Sequence, residues 1–330
     1  MKIVKPSVEF MKHDCELYEF IEKVGRVCYK SEDKIGEGTA EKFVNGLAKN
    51  NHWAILEHEY LYFYVADYND MINFISRFIV PDGNSYSITK YLNISDFYIS
   101  GSVRAWKEFF DNVHKISQVY EIGYDIYAWM HDEVNKLYPI LFPLYNDWTY
   151  KWEEDYLIKT LNRVEFVNHV IEHYTHPETV FHKCLPYTLK LTVDRGIMAE
   201  ITRHRDASFA VTSTRFCNYS HGKFGREITV IEPSFFPKDS VEYKVWKIHC
   251  EDCERSYMTL TDNGAKPEEA RSILPNSLMT EVIITANEKE WQHILDLRWH
   301  GVTGRPHPQM EEIMDIAGPI LRKETGNRVR

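Results

Sequence analysis

The sequence has little of what marks several large classes of protein. Six cysteines are spread over 330 residues, too sparsely for the disulfide framework of a small secreted domain. No run approaches the 18 uninterrupted apolar residues of a transmembrane helix. The first residues also lack the apolar segment of a secretory signal. These absences predict a cytoplasmic protein, in a reducing compartment, without a membrane anchor.

An excess of positive charge is also missing. The 39 lysines and arginines face 49 aspartates and glutamates, which gives a net charge of −10. Binding along DNA or RNA needs a basic face, so we expect no nucleic-acid partner. A local group of arginines could still bind a small phosphorylated ligand. The chain also has no G-x-G-x-x-G fingerprint, no Walker A loop and no G-x-S-x-G elbow.

Apolar and aromatic residues are plentiful, at 44% and 14% of the chain. This composition excludes a disordered chain and predicts a packed fold that contains sheet. No repeat and no linker rich in glycine or serine divides the chain, so we expect a single domain over residues 1–330. Helical spacing and strict alternation of apolar residues predict helices at 17–29, 40–49, 197–205, after 287 and from 308, and strands at 59–66, 97–103 and 185–193.

The densest polar segment is 203–215, directly after a predicted strand and helix. It holds three arginines, one histidine and four hydroxyl side chains. Guanidinium groups suit phosphate and other planar anions. A helix extending to residue 205 would place Glu200, Arg203 and His204 on one face. The alternative is an exposed basic helix end followed by a polar loop.

A second candidate is Arg298, which occupies the apolar stripe of the helix predicted after Asn287. A buried cation is costly unless it is paired. Arg298 therefore either forms a structural ion pair or belongs to an anion site that the folded chain creates. Arg271 is a weaker case of the same kind.

Two short patterns raise the alternative of a metal enzyme. His169, Glu172 and His173 form an H-x-x-E-H string, which on a helix brings two imidazoles and a carboxylate together, as in some zinc hydrolases. Cys250 and Cys253 form one C-x-x-C pair, but a zinc knuckle needs a second pair. Both patterns are short, and 15 histidines make chance matches easy.

Arg203-His204-Arg205, seven further residues and Ser213 give the spacing R-H-R-x7-S. Four further segments share this resemblance to one family. They are the predicted strand and helix before the motif at 189–205, the segment 270–298, and two N-terminal segments at 26–34 and 51–58. In these segments the sequence resembles the flavin-dependent thymidylate synthases. The similar blocks cover about 15–66 and 184–321, which makes 67–183 a mainly helical insertion.

The resemblance implies an α+β fold with a central, mostly antiparallel sheet flanked by helices. It implies a homotetramer whose active sites draw residues from several subunits. The implied reaction is the reductive methylation of dUMP to dTMP, with 5,10-methylenetetrahydrofolate as carbon donor, NADPH as reductant and FAD as cofactor. No metal is implied.

The resemblance also assigns roles to individual positions, with Arg298 as the catalytic residue aimed at the uracil ring. The residues implied to bind FAD are His52, Ala54, Arg203, His204, Arg205, Asn287, Lys289 and His293. Those implied to bind dUMP are Glu200, Arg203, Ser213, Thr214, Arg215, Arg271 and Arg298.

Positions 210–212 depart from the family pattern. The family often has polar side chains here, whereas this chain has Ala210, Val211 and Thr212. The departure leaves open a related reaction, in which the same fold, flavin and nucleotide yield hydroxymethyl-dUMP.

Overall fold

The computed structural model describes residues 1–76, 92–120, 125–145 and 158–330. The chain forms two compact units. The first comprises Met1–Lys12, Lys23–Ile35 and Tyr187–Arg330, and the second comprises His13–Glu22 and Gly36–Pro186. Both contain antiparallel strand pairs and helices, which confirms the predicted α+β class.

The helices and strands of both units are numbered together in chain order. They are β1 (Lys2–Val4), β2 (Ser7–Met11), α1 (Leu17–Tyr29), α2 (Thr39–Lys49), β3 (Tyr60–Val65), α3 (Tyr68–Ser76), β4 (Leu92–Ser95), β5 (Tyr98–Ser102), α4 (Val103–Tyr120), α5 (Asp125–Leu137), β6 (Ile158–Leu161), α6 (Arg163–His173), α7 (Glu178–Cys184), β7 (Pro186–Asp194), α8 (Arg195–Ile201), β8 (Ser208–Val211), β9 (Thr229–Ile231), α9 (Val241–Asp262), α10 (Pro267–Ala270), β10 (Met279–Asn287), α11 (Glu288–Arg298) and α12 (Pro308–Glu324).

The first unit carries a four-stranded sheet and a two-stranded one. The order of the larger sheet is β2-β7-β10-β8, and the pairs β2-β7 and β10-β8 are antiparallel. In the smaller sheet β1 pairs with β9 in parallel. Helices α8 to α12 belong to this unit, and helix α1 has residues in both units.

Strand β7 is more deeply buried than its alternating sequence predicts. Alternation indicates one polar face, yet Thr188 on that face is fully buried. The burial is confined to the first half of that face, since Lys190 and Thr192 further along it are half-exposed. The Thr188 hydroxyl is satisfied by the Thr285 hydroxyl of β10 at 2.7 Å.

Helices α11 and α12 confirm their predictions. Asn287 caps α11 by accepting a hydrogen bond from the Glu290 amide at 3.0 Å. Pro308 stands at the start of α12, where its missing amide hydrogen costs nothing. The predicted stripe of α12 is fully buried and consists of Met310, Ile313, Met314, Ala317 and Leu321.

Helix α8 is shorter than predicted, and this changes the geometry of the arginine-rich segment. It ends at Ile201, so Arg203, His204 and Arg205 lie in the following turn and share no helix face. Strand β8 must begin at Ser208 to pair with Thr285 of β10. Only residues 202–207 remain to reverse the chain, which is too few for the helix to continue.

The second unit has a four-stranded antiparallel sheet in the order β4-β5-β3-β6. Central strand β3 is apolar on both faces, as predicted, and Tyr62, Phe63 and Val65 are fully buried. Helices α2 to α7 belong to the same unit.

The predicted insertion at 67–183 falls within this second unit. Its described part carries helices α3 to α7 and strands β4 to β6. Residues 77–91, 121–124 and 146–157 of it lie outside the described residues. That the segment is an insertion stays a prediction.

All six cysteines are free thiols, and every one except the half-exposed Cys15 is buried. Burial raises the pKa of Cys28 and Cys184 to about 12 and that of Cys250 to about 11. Among the described residues, no helix has both the length and the apolar character that crossing a bilayer requires.

Candidate functional site

The first unit contains an open pocket between the turn after α8 and one face of α11. Its volume is about 470 Å³. The turn contributes the arginine-rich segment, and α11 contributes residues spaced three and four apart, which lie on one helix face. The lining residues are Arg203, His204, Arg205, Asp206, Glu290, His293, Leu297, Arg298 and Thr303.

Helix α11 can present this polar face because its opposite face is anchored. Trp291, Ile294 and Leu295 are fully buried, and the Trp291 indole donates to the Tyr187 carbonyl at 2.9 Å. At the first turn, buried Glu288 accepts hydrogen bonds from the Arg328 guanidinium at 2.6 to 3.1 Å. The pocket residues of α11 thus project from a rigid support.

Arg298 leaves the apolar stripe at the end of α11 and reaches into the pocket. Its side chain is 23% exposed, so it is not the deeply buried cation that the stripe alone suggests. The Nε atom donates to His204 Nε2 and the Nη2 atom to the Glu200 carbonyl, both at 3.1 Å. The Glu200 carboxylate lies 3.8 Å from Nη1. Two edge donors are therefore engaged in holding the guanidinium in place.

His204 is the centre of the pocket's polar network. It is buried, it accepts from Arg298 through Nε2, and its Nδ1 lies 3.3 Å from Glu290 Oε1. The His293 ring stands edge-on to it, with ring centroids 5.6 Å apart. Sequence positions nearly a hundred residues apart meet here.

The site residues beyond β8 form a second group. Arg271 Nη1 donates to the Thr214 hydroxyl at 3.4 Å, and the Ser213 amide donates to the Cys28 carbonyl at 3.0 Å. Arg215 is exposed, and its Nε lies 3.5 Å from the Glu268 carboxylate.

Within one chain, the residues predicted to bind dUMP therefore fall into two groups. Those beyond β8 do not line the pocket. The first group lies at the pocket, where Arg203 and Arg298 line it and Glu200 contacts Arg298. The second group consists of Ser213, Thr214, Arg215 and Arg271.

Two residues predicted to bind FAD lie in the second unit. His52 is the N-cap residue of a short 3-10 helix (Trp53–His58), and Ala54 is its second residue. Asn287 and Lys289 lie at the start of α11. The Asn287 side-chain oxygen is engaged as a helix cap. Their roles in FAD binding stay predictions.

The H-x-x-E-H string on α6 does not assemble a metal site. His169 Nδ1 is hydrogen-bonded to the Tyr98 hydroxyl at 2.6 Å, and His173 Nδ1 to the His169 carbonyl at 2.8 Å. The two imidazoles stack on each other. Among the described residues, the group of three ligand side chains close enough to hold one ion is instead His204, Glu290 and His293.

The second metal pattern also stays unassembled. Cys250 and Cys253 are buried on α9, and the described residues bring no second cysteine pair to them. Cys253 Sγ lies 3.5 Å from His249 Nε2 within the same helix. Packing inside the first unit accounts for these thiols.

Sequence reasoning missed Glu290, Asp206, Leu297 and Thr303 as pocket residues. Glu290 had a detectable signal, because it precedes His293 by three positions on the same helix. Leu297 and Thr303 follow from the fold alone, since the pocket wall exists only once α11 packs beside the turn after α8.

Comparison with known families decides the relationship of this chain. A sequence model described as "Thymidylate synthase complementing protein" matches residues 144–325, which is more than half of the chain. The chain belongs to this family. The resemblance found in the R-H-R-x7-S spacing is thereby confirmed.

Several relatives carry the name of a flavin-dependent thymidylate synthase. A probable one from Mycobacterium phage D29 is 26% identical over 178 residues, which is 50% of this chain and 69% of the phage protein. One from Geobacter sulfurreducens is 29% identical over 106 residues, or 32% of this chain and 44% of that protein. One from Pyrococcus furiosus is 28% identical over 125 residues, or 38% and 50%.

A solved structure gives a more distant comparison. The crystal structure of a UMP/dUMP methylase PolB from Streptomyces cacaoi, bound with 5-Br dUMP, is 13% identical with a TM-score of 0.40. The comparison covers 100% of this chain and 96% of that one. At this TM-score the two folds are not shown to be the same.

Proposed function

We propose that this protein is a flavin-dependent thymidylate synthase, which converts dUMP to dTMP with FAD as cofactor, 5,10-methylenetetrahydrofolate as carbon donor and NADPH as reductant. The observation that carries the proposal is the meeting of the R-H-R segment with Arg298 and His293 in one pocket. Family membership supports the reaction class, and the names of the relatives support the flavin.

The pocket's chemistry fits FAD. The cofactor carries a negatively charged diphosphate, and guanidinium groups are the donors best suited to phosphate oxygens. Arg203 and Arg205 line the pocket with His204 and His293, and Lys289 adds a cation to the first turn of α11. Bound FAD supplies the hydride chemistry, which leaves the protein to position the reactants and stabilise charge.

Arg298 acts on the pyrimidine. Uracil C5 becomes a better nucleophile when negative charge develops on the ring, and a fixed guanidinium stabilises that charge. The contacts to His204 and the Glu200 carbonyl hold Arg298 in place before substrate arrives. The nearby Glu200 carboxylate neutralises the guanidinium until an anionic ring takes over that role.

The dUMP phosphate needs several donors, and the second group of residues provides them. Arg215 is exposed, and Arg271 is already hydrogen-bonded to Thr214. In one chain these residues do not line the pocket that contains Arg298. This separation supports a homotetramer in which each active site is shared between subunits. One subunit contributes the residues that bind the dUMP phosphate, and another contributes the pocket that contains Arg298. A cytoplasmic location completes the proposal.

Two measurements test the function. Purified protein, as isolated or after incubation with FAD, should show the absorption spectrum of bound flavin. Incubation with dUMP, methylenetetrahydrofolate and NADPH should then yield dTMP, identified by its mass. A protein that takes up no FAD and forms no product would overturn the proposal.

Product mass also distinguishes the alternative reaction. Ala210 and Val211 lie on β8, and Ala210 is buried, so neither offers a polar side chain to the substrate. A product heavier than dTMP by one oxygen would identify a dUMP hydroxymethylase instead.

A further inference from the structure

Glu290 has an orientation that helix capping does not explain. It stands at the third position after the N-cap Asn287, where a glutamate commonly bonds back to the N-cap amide and forms a capping box. Glu165 does this at the start of α6, where it pairs with Asn162. At α11 no such box forms, and Glu290 Oε1 lies 3.3 Å from His204 Nδ1.

The two side chains are buried together, which makes the contact energetically important. The side chains of His204 and Glu290 are 3% and 10% exposed. A carboxylate removed from water is costly unless a donor faces it. His204 is the group of the pocket placed to be that donor.

Arg298 decides which nitrogen of His204 carries the proton. An arginine side chain has donors and no acceptor, so its Nε can bond to His204 Nε2 only through the lone pair on that nitrogen. A neutral imidazole then has its hydrogen on Nδ1, the nitrogen that faces Glu290.

We propose that Glu290 is a positioning residue that acts through His204 on Arg298. Its carboxylate accepts the Nδ1 hydrogen and favours this tautomer of the imidazole, which keeps Nε2 available as the acceptor for Arg298. In the other tautomer, the Nε2–H of His204 would face the Nε–H of Arg298. Two donors cannot bond to each other, so the guanidinium would lose this contact. The inference rests on the proposed function, in which Arg298 faces the uracil ring.

A metal ion is the competing use of the same residues. His204, Glu290 and His293 offer ligand atoms that lie within 4.8 Å of one another. An ion there would lie in a pocket that three arginines line, and the Nε2 lone pair of His204 is already engaged by Arg298. Charge and hydrogen bonding therefore both favour the contacts from Glu290 through His204 to Arg298 over a bound metal ion.

The first test is kinetic and uses Glu290→Met, which removes the acceptor at similar size. We expect kcat for dTMP formation to fall about 10- to 100-fold, the size of effect known for losing the carboxylate partner of a metal-ligating histidine. Glu290→Gln, whose amide oxygen still accepts from Nδ1, should recover most of the turnover. Glu165→Met is the matched control, since it removes a glutamate from the same helix position in α6 and should leave kcat unchanged.

The second test asks whether Glu290 works through Arg298. In an Arg298→Lys background, Glu290→Met should cause little further loss, because residues that act in series are not additive. Losses that simply multiply would overturn the proposal, as would full turnover in Glu290→Met. A wild-type protein that binds FAD but forms no product from dUMP would overturn the proposed function itself, which is a different result.

The third test does not depend on turnover. Nitrogen-15 NMR of histidine-labelled protein distinguishes the two tautomers, and His204→Gln identifies the signal. We expect the Nδ1–H form in the wild type and its loss in Glu290→Met. An unchanged tautomer would overturn the proposal. Stoichiometric zinc in the purified wild type that disappears in Glu290→Met would also overturn it, in favour of a metal site.

Discussion

At the scale of single residues, the site depends on where charge is held rather than on how much charge is present. The net charge is −10, yet three arginines line one pocket. Arg298 is fixed there by His204 and by the Glu200 carbonyl. A donor held in advance stabilises developing charge without the cost of reorganisation.

Arg298→Lys tests this directly. Lysine keeps the charge but loses the planar set of donors, so it does not reproduce the fixed geometry with which Arg298 contacts His204 and Glu200. We expect dTMP formation at saturating dUMP to fall about 10²–10³-fold, while the flavin spectrum and the melting temperature stay near those of the wild type. Near-normal turnover in the folded, flavin-loaded variant would contradict the role of Arg298.

Arg215→Met should affect binding instead. Arg215 is 59% exposed and its partner Glu268 is 45% exposed, so losing their ion pair should hardly change stability. Loss of a phosphate contact should raise KM for dUMP about tenfold or more, because a charge-assisted hydrogen bond contributes about 1.5–3 kcal/mol. Arg226→Met is a suitable control, since Arg226 forms a similar surface ion pair with Asp262. An equal change of KM in both variants would argue against a phosphate contact.

At the scale of elements, local signals explain what the sequence could predict. The Asn287 cap and the apolar stripes of α11 and α12 lie within a few turns of helix, and both helices appear where predicted. The end of α8 could not be predicted, because it is set by the pairing of Ser208 with distant Thr285. The orientation of Glu290 had no local signal either. Helix α6 begins with the same pattern, an asparagine followed three residues later by a glutamate, yet there Glu165 forms a capping box with Asn162.

The packing of α12 against Trp299 gives a prediction at this scale. A Cβ on Gly318 would clash with the Trp299 ring, whereas a Cβ on Gly46 of α2 would meet no atom within 4 Å beyond its chain neighbours and its own helix backbone. Gly318→Ala should destabilise the protein by about 1–3 kcal/mol through overpacking. Gly46→Ala should be neutral or stabilise it by up to about 1 kcal/mol. Thermal melting of the two variants measures the difference, and equal melting temperatures would refute the close contact.

At the scale of the whole molecule, the chain divides into two compact units. The second unit includes a buried histidine, His131, among the rings of Phe110, Phe142 and Tyr145. Burial, with a smaller effect of Lys107, lowers the pKa of His131 to about 4, although Asp111 and Asp132 act in the opposite direction.

This pKa predicts acid sensitivity of the second unit. The unfolded chain binds a proton on His131 near pH 6.5, whereas the folded chain resists protonation until about pH 4. Stability is therefore lost as the pH falls through this window, by about 2 kcal/mol at pH 5 relative to pH 7.5. His131→Phe keeps a ring without a titrating group, so its melting temperature should depend less on pH. An unchanged pH dependence in His131→Phe would exclude His131 as the cause.

The buried thiols allow the unfolding of each unit to be measured separately. Cys184 belongs to the second unit, and Cys217 and Cys250 belong to the first. A thiol reagent attacks the thiolate form, and these thiols are both enclosed and hard to ionise. Labelling must therefore wait for local or global unfolding. Mass spectrometry of the labelled peptides would give one labelling rate for each unit. The wild-type sequence suffices, at any pH where the reagent reacts.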